Sequence, residues 1–182
     1  VRPGHTLLVH AAAGGVGSVL VPWARHLGAR VIGTAGSKDK AERARQYGCD
    51  EVILYREQDF VAEVKRLTGG AGVDVVYDSV GKDTFMGSLD CMVSYGNASG
   101  KAPAIEPVLL SEKGSLFLTR PKLADHIATR AELETASAAL FEMIARGVVK
   151  ADVRQRYPLR EVARAHAEME GRHTTGASVL VP

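Results

Sequence analysis

The stretch from Thr6 to Arg30 constrains the fold most, because three different sequence patterns follow one another in it without a gap. Residues 6–10 form a short apolar, β-branched run, and residues 11–17 are all Ala, Gly or Val. Apolar side chains then recur with the spacing of one helix face, at Val16, Val19, Leu20, Trp23, Ala24 and Leu27. The pattern predicts a strand, a glycine-rich turn and a helix.

The predicted turn fits a dinucleotide-binding fingerprint. Residues 12–17 read A-A-G-G-V-G, which is G-x-G-x-x-G with alanine in the first glycine place. We expect Gly14 to let the backbone approach a pyrophosphate and Gly17 to let helix and strand pack closely. The helix N-terminus would offer N–H groups and a positive dipole end to the anion. A small-residue turn that serves packing alone is the alternative, and the flanking strand and helix favour phosphate binding.

The next crossover indicates which dinucleotide would fit. Domains that bind NAD usually carry Asp or Glu about 20 residues beyond the glycines, to hold the ribose 2′-hydroxyl. Residues 34–40 read TAGSKDK, with Ser37 and Lys40 in that neighbourhood. Ser37 could instead be only a helix N-cap, and Lys40 only a solvated charge. Tyr55, just beyond a third strand, is placed to cover an adenine or touch a 2′-phosphate, or is a surface tyrosine. The missing acid favours NADPH.

Strand and helix patterns alternate through the first two thirds of the chain. This alternation predicts an α/β fold, a doubly wound parallel Rossmann sheet of about six strands with helices on both faces. The fifth and sixth strands are predicted at Met92–Tyr95 and Ser115–Thr119. No turn residue separates Cys91 from Met92, so either a turn has been deleted or a loop is absent from the sequence. Beyond Pro121 the pattern changes to two helices and a terminal strand at residues 177–181.

Composition excludes several classes of protein. The chain has 182 residues, a formal net charge of +2, 46% hydrophobic and 24% charged residues, values typical of a globular protein with one domain or one domain and part of another. Its basic residues are dispersed among 21 acids, which argues against a nucleic-acid partner. The apolar runs are far below the ~18 residues of a membrane span. Cys49 and Cys91 are too few for a disulfide framework or a four-cysteine zinc site, which fits the cytoplasm.

Five motifs in order resemble those of one family: AAAGGVG, YDSVG, SYGNASG, KGSLFLTRP and TTGASVLVP. They are similar to the zinc-independent NADPH:quinone oxidoreductases of the medium-chain dehydrogenase/reductase superfamily, the group that includes zeta-crystallin. The resemblance covers nearly the whole chain. It implies that residues 1–120 are an NADPH-binding Rossmann domain and that residues 121–182 return to a GroES-like catalytic domain, most of which is absent. The terminal strand would then lack its sheet partners in this chain.

The resemblance also implies roles for individual residues. The pyrophosphate contacts would be Gly15, Val16, Gly17 and Ser18, and the 2′-phosphate contacts Gly36, Lys40 and Tyr55. The floor under the ribose and nicotinamide would be Val80, Tyr95, Gly96 and Asn97, with Phe117 and Thr119 close by. Arg172 resembles a late arginine that reaches back to NADPH, and its alternative is a solvated arginine after a helix.

The function that the resemblance implies is hydride transfer from NADPH to a quinone. No catalytic residue is named, because those residues would lie largely in the absent domain, and no metal-ligand spacing is found among the six histidines and two cysteines. This chain alone is expected to bind NADPH without reducing a substrate. The alternatives are an enone or enoyl-thioester reductase and a non-catalytic, crystallin-like NADPH-binding protein. A homodimer is expected through the sheet edge at Ser115–Thr119.

Overall fold

A computed structural model describes residues 1–91, 103–119 and 121–182. Its first part is a parallel four-stranded sheet in the order β3-β2-β1-β4, with a helix after each strand. The order of the strands in the sheet therefore differs from their order along the chain, because β1 lies between β2 and β4. The strands are β1 (Thr6–Val9), β2 (Arg30–Ala35), β3 (Glu51–Leu54) and β4 (Val75–Tyr77), and the helices are α1 (Gly17–His26), α2 (Lys38–Tyr47), α3 (Phe60–Leu67) and α4 (Phe85–Cys91).

Helices cover both faces of this sheet, as predicted. Leu7 and Val9 of β1 pack with residues of α1 and α2, whereas Leu8 packs on the opposite face with residues of α3 and α4. Successive strand residues point to opposite faces, and all three side chains are at most 1% exposed. The near-continuous apolar strands of the sequence are thus explained by burial on both sides.

Capping residues begin α2 and α3 and end α2. Ser37 Oγ accepts a hydrogen bond from the Lys40 backbone N–H at 3.4 Å, and Asp59 accepts two in the first turn of α3. Gly48 ends α2 with φ +111°, in the left-handed region that glycine adopts without steric cost. The N-cap role of Ser37 is therefore present in the structure.

The C-terminal part is a smaller helical and strand segment. It contains the helices α5 (Val108–Glu112), α6 (Leu123–His126), α7 (Arg130–Ala145) and α8 (Val162–Glu170), and the strands β5 (Val153–Pro158) and β6 (Ala177–Val181). A capping box of Thr129 and Glu132 opens α7. A short 3₁₀ turn, Leu159–Glu161, precedes α8.

The strand predictions need two corrections. Ser115–Thr119, predicted as the sixth strand and a sheet edge, is irregular, and Phe117 is 83% exposed. A strand needs the backbone of a neighbouring strand, and no described segment pairs with these residues. The terminal strand, expected to lack partners, pairs in parallel with β5, which the sequence analysis did not predict. The predicted fifth strand, Met92–Tyr95, lies outside the described residues.

Several contacts join the C-terminal segment to the sheet and its helices, and two of them lie at Gly176 and Tyr47. Gly176 N–H donates to the Ala13 carbonyl at 3.1 Å, within a parallel bridge between Gly14 and Gly176. The Tyr47 hydroxyl donates to the Asp152 carboxylate at 2.5 Å. The residues that precede β5 and β6 are therefore held against the glycine turn and α2. No helix within the described ranges is long and apolar enough to cross a membrane.

Candidate cofactor-binding site

The glycine turn between β1 and α1 is closely packed. A Cβ atom on Gly17 would lie 2.0 Å from the Ala12 carbonyl oxygen, so no other residue fits there without a backbone shift. Ser18 secures the turn, because its Oγ donates to the Gly15 carbonyl at 2.8 Å and its N–H donates to the Gly14 carbonyl at 2.9 Å. Val16, 56% exposed, lies at the surface just before α1. The close packing predicted for Gly17 is confirmed.

A cavity of about 320 Å³ opens at the carboxyl ends of the four strands. Ligands of doubly wound sheets bind at this edge, where the strand order reverses. Residues of the glycine turn, of the segments after β2, β3 and β4, and of the end of α8 line it. They are Ala11, Ala13, Gly14, Thr34, Ala35, Gly36, Ser37, Lys40, Tyr55, Arg56, Val80, Met169, Arg172 and Thr174.

Three cationic side chains line this cavity, and no Asp or Glu is among the lining residues. The cations are Lys40 of α2, Arg56 beyond β3, and Arg172 beyond α8. Partial burial lowers the pKa of the Lys40 ammonium, and the nearby charges of Arg56 and Arg172 lower it further. The three positive charges therefore repel one another across the cavity, and an anion bound between them would relieve that repulsion.

Lys40 and Arg172 are also in direct contact. Lys40 Nζ donates to the Arg172 backbone carbonyl at 2.6 Å, and the Arg172 guanidinium lies 3.5 Å from the Asp83 carboxylate. Arg172 has φ +60°, a left-handed conformation uncommon for a residue with a Cβ atom. The Arg172 backbone thus lies against Lys40, and its side chain lies beside Asp83.

Tyr55 lies against the backbone at Gly36. A Cβ atom on Gly36 would be 2.9 Å from the Tyr55 hydroxyl oxygen and 3.2 Å from its ring carbon Cζ. Because Gly36 has no side chain, Tyr55 can occupy this space at the cavity wall. Tyr55 is half-buried and lines the cavity, so it is not a fully exposed surface residue.

A buried polar network lies behind the cavity wall. His10, 2% exposed, follows β1 and contacts the Thr34 hydroxyl through Nδ1 at 3.0 Å and the Ser88 hydroxyl through Nε2 at 3.2 Å. Four groups donate to the Asp78 carboxylate: the side chains of Thr84 and Ser88 and the backbone N–H groups of Val80 and Gly81. Burial lowers the pKa of His10 to about 4 although the charge of Asp78 opposes this, so the imidazole is neutral at pH 7.

The structure brings together eleven of the sixteen predicted site residues, seven in the cavity lining and four in the adjoining turn. Gly14, Gly36, Ser37, Lys40, Tyr55, Val80 and Arg172 line the cavity, and Gly15, Val16, Gly17 and Ser18 form the adjoining turn. Phe117 and Thr119 are exposed and do not line the cavity. Tyr95, Gly96 and Asn97 lie outside the described residues.

Sequence reasoning did not assign Arg56, Met169 or Thr174 to the site. Arg56 had a readable signal, since it directly follows Tyr55 at the carboxyl end of β3. Met169 and Thr174 lie about 90 residues beyond Val80, the lining residue that precedes them in the chain. Both residues are brought to the cavity by the bridge between Gly14 and Gly176. No local sequence pattern predicts that bridge.

The family model described as zinc-binding dehydrogenase matches residues 15–137. The chain belongs to this family. Within the described part of the chain, no three His, Cys, Asp or Glu side chains group as metal ligands would.

Individual relatives match the chain over its whole length. The chain is 52% identical to a quinone oxidoreductase of Salmonella typhimurium and 51% identical to a 2-haloacrylate reductase of a Burkholderia species, and the alignments cover 100% of it. It spans 58% and 57% of the length of those two proteins. Among solved structures, Escherichia coli quinone oxidoreductase complexed with NADPH superimposes on the whole chain with a TM-score of 0.96 at 49% identity, 58% of that chain being covered.

Proposed function

We propose that this chain binds NADPH and serves as the cofactor-binding part of an NADPH-dependent quinone oxidoreductase. The observation that carries the proposal is the cluster of Lys40, Arg56 and Arg172 in a cavity without a lining carboxylate. A 2′-phosphate supplies the negative charge that such a cluster lacks. An NAD site would place Asp or Glu at this position to accept from the ribose 2′-hydroxyl.

The turn and the cavity walls fit the remainder of the dinucleotide. Gly14 and Gly15 leave the backbone uncovered at the start of α1, where N–H groups and the helix dipole favour a pyrophosphate. Tyr55 and Gly36 form a wall on which the adenosine end would lie, and Ser37 adds a hydroxyl beside Lys40. Val80 also lines the cavity, and on this proposal it would lie near the nicotinamide.

When bound, NADPH supplies the hydride that reduces the acceptor. The residues of this chain hold the phosphates and the adenosine, so that the nicotinamide is positioned beyond the strand ends. We name no catalytic residue in this chain. We propose that residues 1–120 are the cofactor-binding domain and that residues 121–182 belong with a catalytic domain that orients the acceptor. This chain by itself is then expected to bind NADPH without turnover.

A second acceptor class has its own support. The 51% identical 2-haloacrylate reductase is named for an α,β-unsaturated acid, so the same cofactor part can serve reduction of an activated double bond. An enone or enoyl-thioester reductase is therefore the alternative enzyme. A non-catalytic NADPH-binding role stays a prediction. Comparing turnover of a quinone with turnover of a 2-haloacrylate, in the chain joined to its catalytic domain, separates these functions.

Two further proposals concern the cellular location of the protein and its association into a homodimer. We propose a cytoplasmic location, which the free and buried thiols of Cys49 and Cys91 support. The homodimer also stays a prediction, and because residues 115–119 are irregular, strand pairing at that place no longer supports it. Sedimentation at several concentrations tests association, and a monomer at all of them would exclude the dimer.

Titration of one lysine variant tests the proposed cofactor. Lys40→Gln removes one of the three charges, and we expect it to weaken NADPH binding about tenfold while NADH binding changes less than twofold. Lys38→Gln is the matched control, since Lys38 is an exposed lysine on the same helix that does not line the cavity. Equal effects of Lys40→Gln on both dinucleotides would contradict a 2′-phosphate at this place.

A further inference from the structure

Ala11, directly after the first strand and its histidine, has an unusual backbone. Its φ is +51°, in the left-handed region where a Cβ atom is unfavourable. Asn or Asp can offset that cost with a side-chain hydrogen bond, but alanine cannot. Ala11 lines the cavity, and the next residues are the glycine turn. Some neighbouring group must therefore hold this conformation.

Thr34, at the end of β2, is that neighbour. The Ala11 N–H donates to the Thr34 hydroxyl oxygen at 3.4 Å, and the Ala12 N–H donates to the Thr34 carbonyl at 3.1 Å. Thr34 is 1% exposed, so its hydroxyl proton has to be given to a protein acceptor. The atom within reach is His10 Nδ1, at 3.0 Å.

The direction of each proton follows from the far end of this network. Ser88 Oγ donates its only proton to the Asp78 carboxylate at 2.7 Å, so toward His10 it can only accept. His10 Nε2 must then carry the hydrogen. In a neutral imidazole the other nitrogen, Nδ1, is an acceptor, and it takes the proton of the Thr34 hydroxyl. Thr34 Oγ1 presents its lone pairs to the Ala11 N–H.

We infer that His10 is held as the Nε2–H tautomer by Ser88 and Asp78 and, through Thr34, fixes Ala11 in the left-handed conformation that shapes the cofactor turn. His10 is thus a positioning residue, 2% exposed and outside the lining of the cavity. The inference rests on the proposed function only in that it assigns this turn to the cofactor. The hydrogen-bond chain itself is testable without any ligand.

The tautomer can be observed in the unmodified chain. Two-dimensional ¹H–¹⁵N spectra that correlate the ring nitrogens with the ring protons distinguish a protonated from an unprotonated nitrogen. We expect His10 at pH 7 to show a protonated Nε2 and an unprotonated Nδ1. A protonated Nδ1, or protons on both nitrogens, would overturn the inference.

A double-mutant cycle tests the link to Ala11. Thr34→Val and Ser88→Ala each break the chain of hydrogen bonds, and we expect each to raise the unfolding equilibrium constant about tenfold or more, which is a loss of stability. Ala11→Gly removes the need to hold a left-handed alanine. In the Ala11→Gly background we expect both losses of stability to shrink at least threefold. We also expect Ser88→Ala to weaken NADPH binding, and Ala11→Gly to restore that binding. Losses of equal size in both backgrounds would overturn the inference, because a purely structural role in the core gives additive effects.

A threonine outside the network provides the control. Thr68 donates to the Val64 carbonyl at 2.8 Å and accepts from the Gly72 N–H, so Thr68→Val breaks comparable bonds far from Ala11. Its loss of stability is expected to be the same with and without Ala11→Gly. If the unmodified chain bound no NADPH while the tautomer and the cycle behaved as stated, the proposed function would fail and the hydrogen-bond chain would stand.

Discussion

The four-stranded sheet and the C-terminal segment contribute to the same cavity but are built differently. The sheet has its own core on both faces, in which Leu7, Leu8 and Ile32 are wholly buried. Between residues 121 and 182 only four described residues are buried: Met143, Val149, Tyr157 and Ala165. The 16-residue helix α7 buries one of them. The first region is therefore held by internal packing, and the second by a few contacts to the first.

This difference separates formation of the fold from completion of the site. The sheet supplies the glycine turn, Lys40 and Tyr55, whereas the C-terminal segment supplies Arg172 and Met169. The joint between the two regions includes hydrogen bonds at Gly176, at Tyr47 and between Lys40 and Arg172. Changes in the core of the sheet should thus unfold the protein, whereas changes at the joint should weaken cofactor binding at a small cost in stability.

The largest expected effect is in the packed turn of the sheet. Gly17→Ala places a Cβ atom 2.0 Å from the Ala12 carbonyl oxygen and forces the first turn of α1 away from β1. We expect a loss of about 3 kcal/mol or more in the free energy of unfolding, measured by urea denaturation. Gly69→Ala is the control, because Gly69 has φ +61° but open space around it, and costs about 1 kcal/mol. Equal losses would show that the turn is not closely packed.

The next effect is the pH dependence of the sheet region. Burial lowers the pKa of His10 from 6.5 to about 4, so the unfolded chain binds a proton more readily than the folded one. The stability that neutral His10 contributes is complete above pH 6.5 and is lost as the pH falls toward 4, by about 3 kcal/mol.

Urea denaturation between pH 7 and pH 4.5 measures this slope. His26→Asn is the control, since His26 is an exposed histidine at the end of α1, and the variant should keep the slope. An NMR titration in which the His10 ring protonated near pH 6.5 would contradict the account.

A smaller effect is expected at the joint. Tyr47→Phe removes the hydrogen bond to Asp152, which together with burial raises the pKa of Tyr47 to about 12. We expect about 1 kcal/mol of stability to be lost and NADPH to bind at least threefold more weakly, because Arg172 is then held less firmly.

A second tyrosine gives the matched comparison. Tyr157 donates to Glu168 within the C-terminal segment, so Tyr157→Phe breaks a bond that does not cross the joint. We expect a similar loss of stability and less than a twofold change in NADPH affinity. If both variants weakened NADPH binding equally, the joint would have no special role.

The smallest expected effect concerns the ion pair at the cavity mouth. Asp83 lies 3.5 Å from the Arg172 guanidinium and competes with a bound phosphate for it. Both side chains are partly exposed, so the pair contributes little to stability. Asp83→Asn should raise NADPH affinity up to about threefold and leave NADH affinity unchanged, as measured by fluorescence titration. Weaker NADPH binding would mean that Asp83 orients Arg172 instead of competing for it.

The sheet region could be predicted because its signals are local. Periodicity located β1 and α1, and Ser37 marked the start of α2 as its N-cap. Asp59 and Ser37 make their cap bonds within three residues, so nothing distant decides them. The same locality made it possible to predict that residues 34–37, at the end of β2 and before α2, carry no acid.

The C-terminal segment was less predictable because its strands depend on distant partners. Val153–Pro158 reads VRQRYP, and its polar residues do not give a clear strand pattern. These residues form a strand by pairing with residues 177–181. Ser115–Thr119 has the apolar composition of a strand but pairs with no described segment. Long-range pairing, more than composition, decides such segments.

Calorimetric titration of the unmodified chain with NADPH and then with NADH tests the central claim most directly. The account predicts that NADPH binds at least tenfold more tightly, about 1.4 kcal/mol in binding free energy, because Lys40, Arg56 and Arg172 receive the 2′-phosphate. Equal affinity for the two dinucleotides, or tighter binding of NADH, would contradict it.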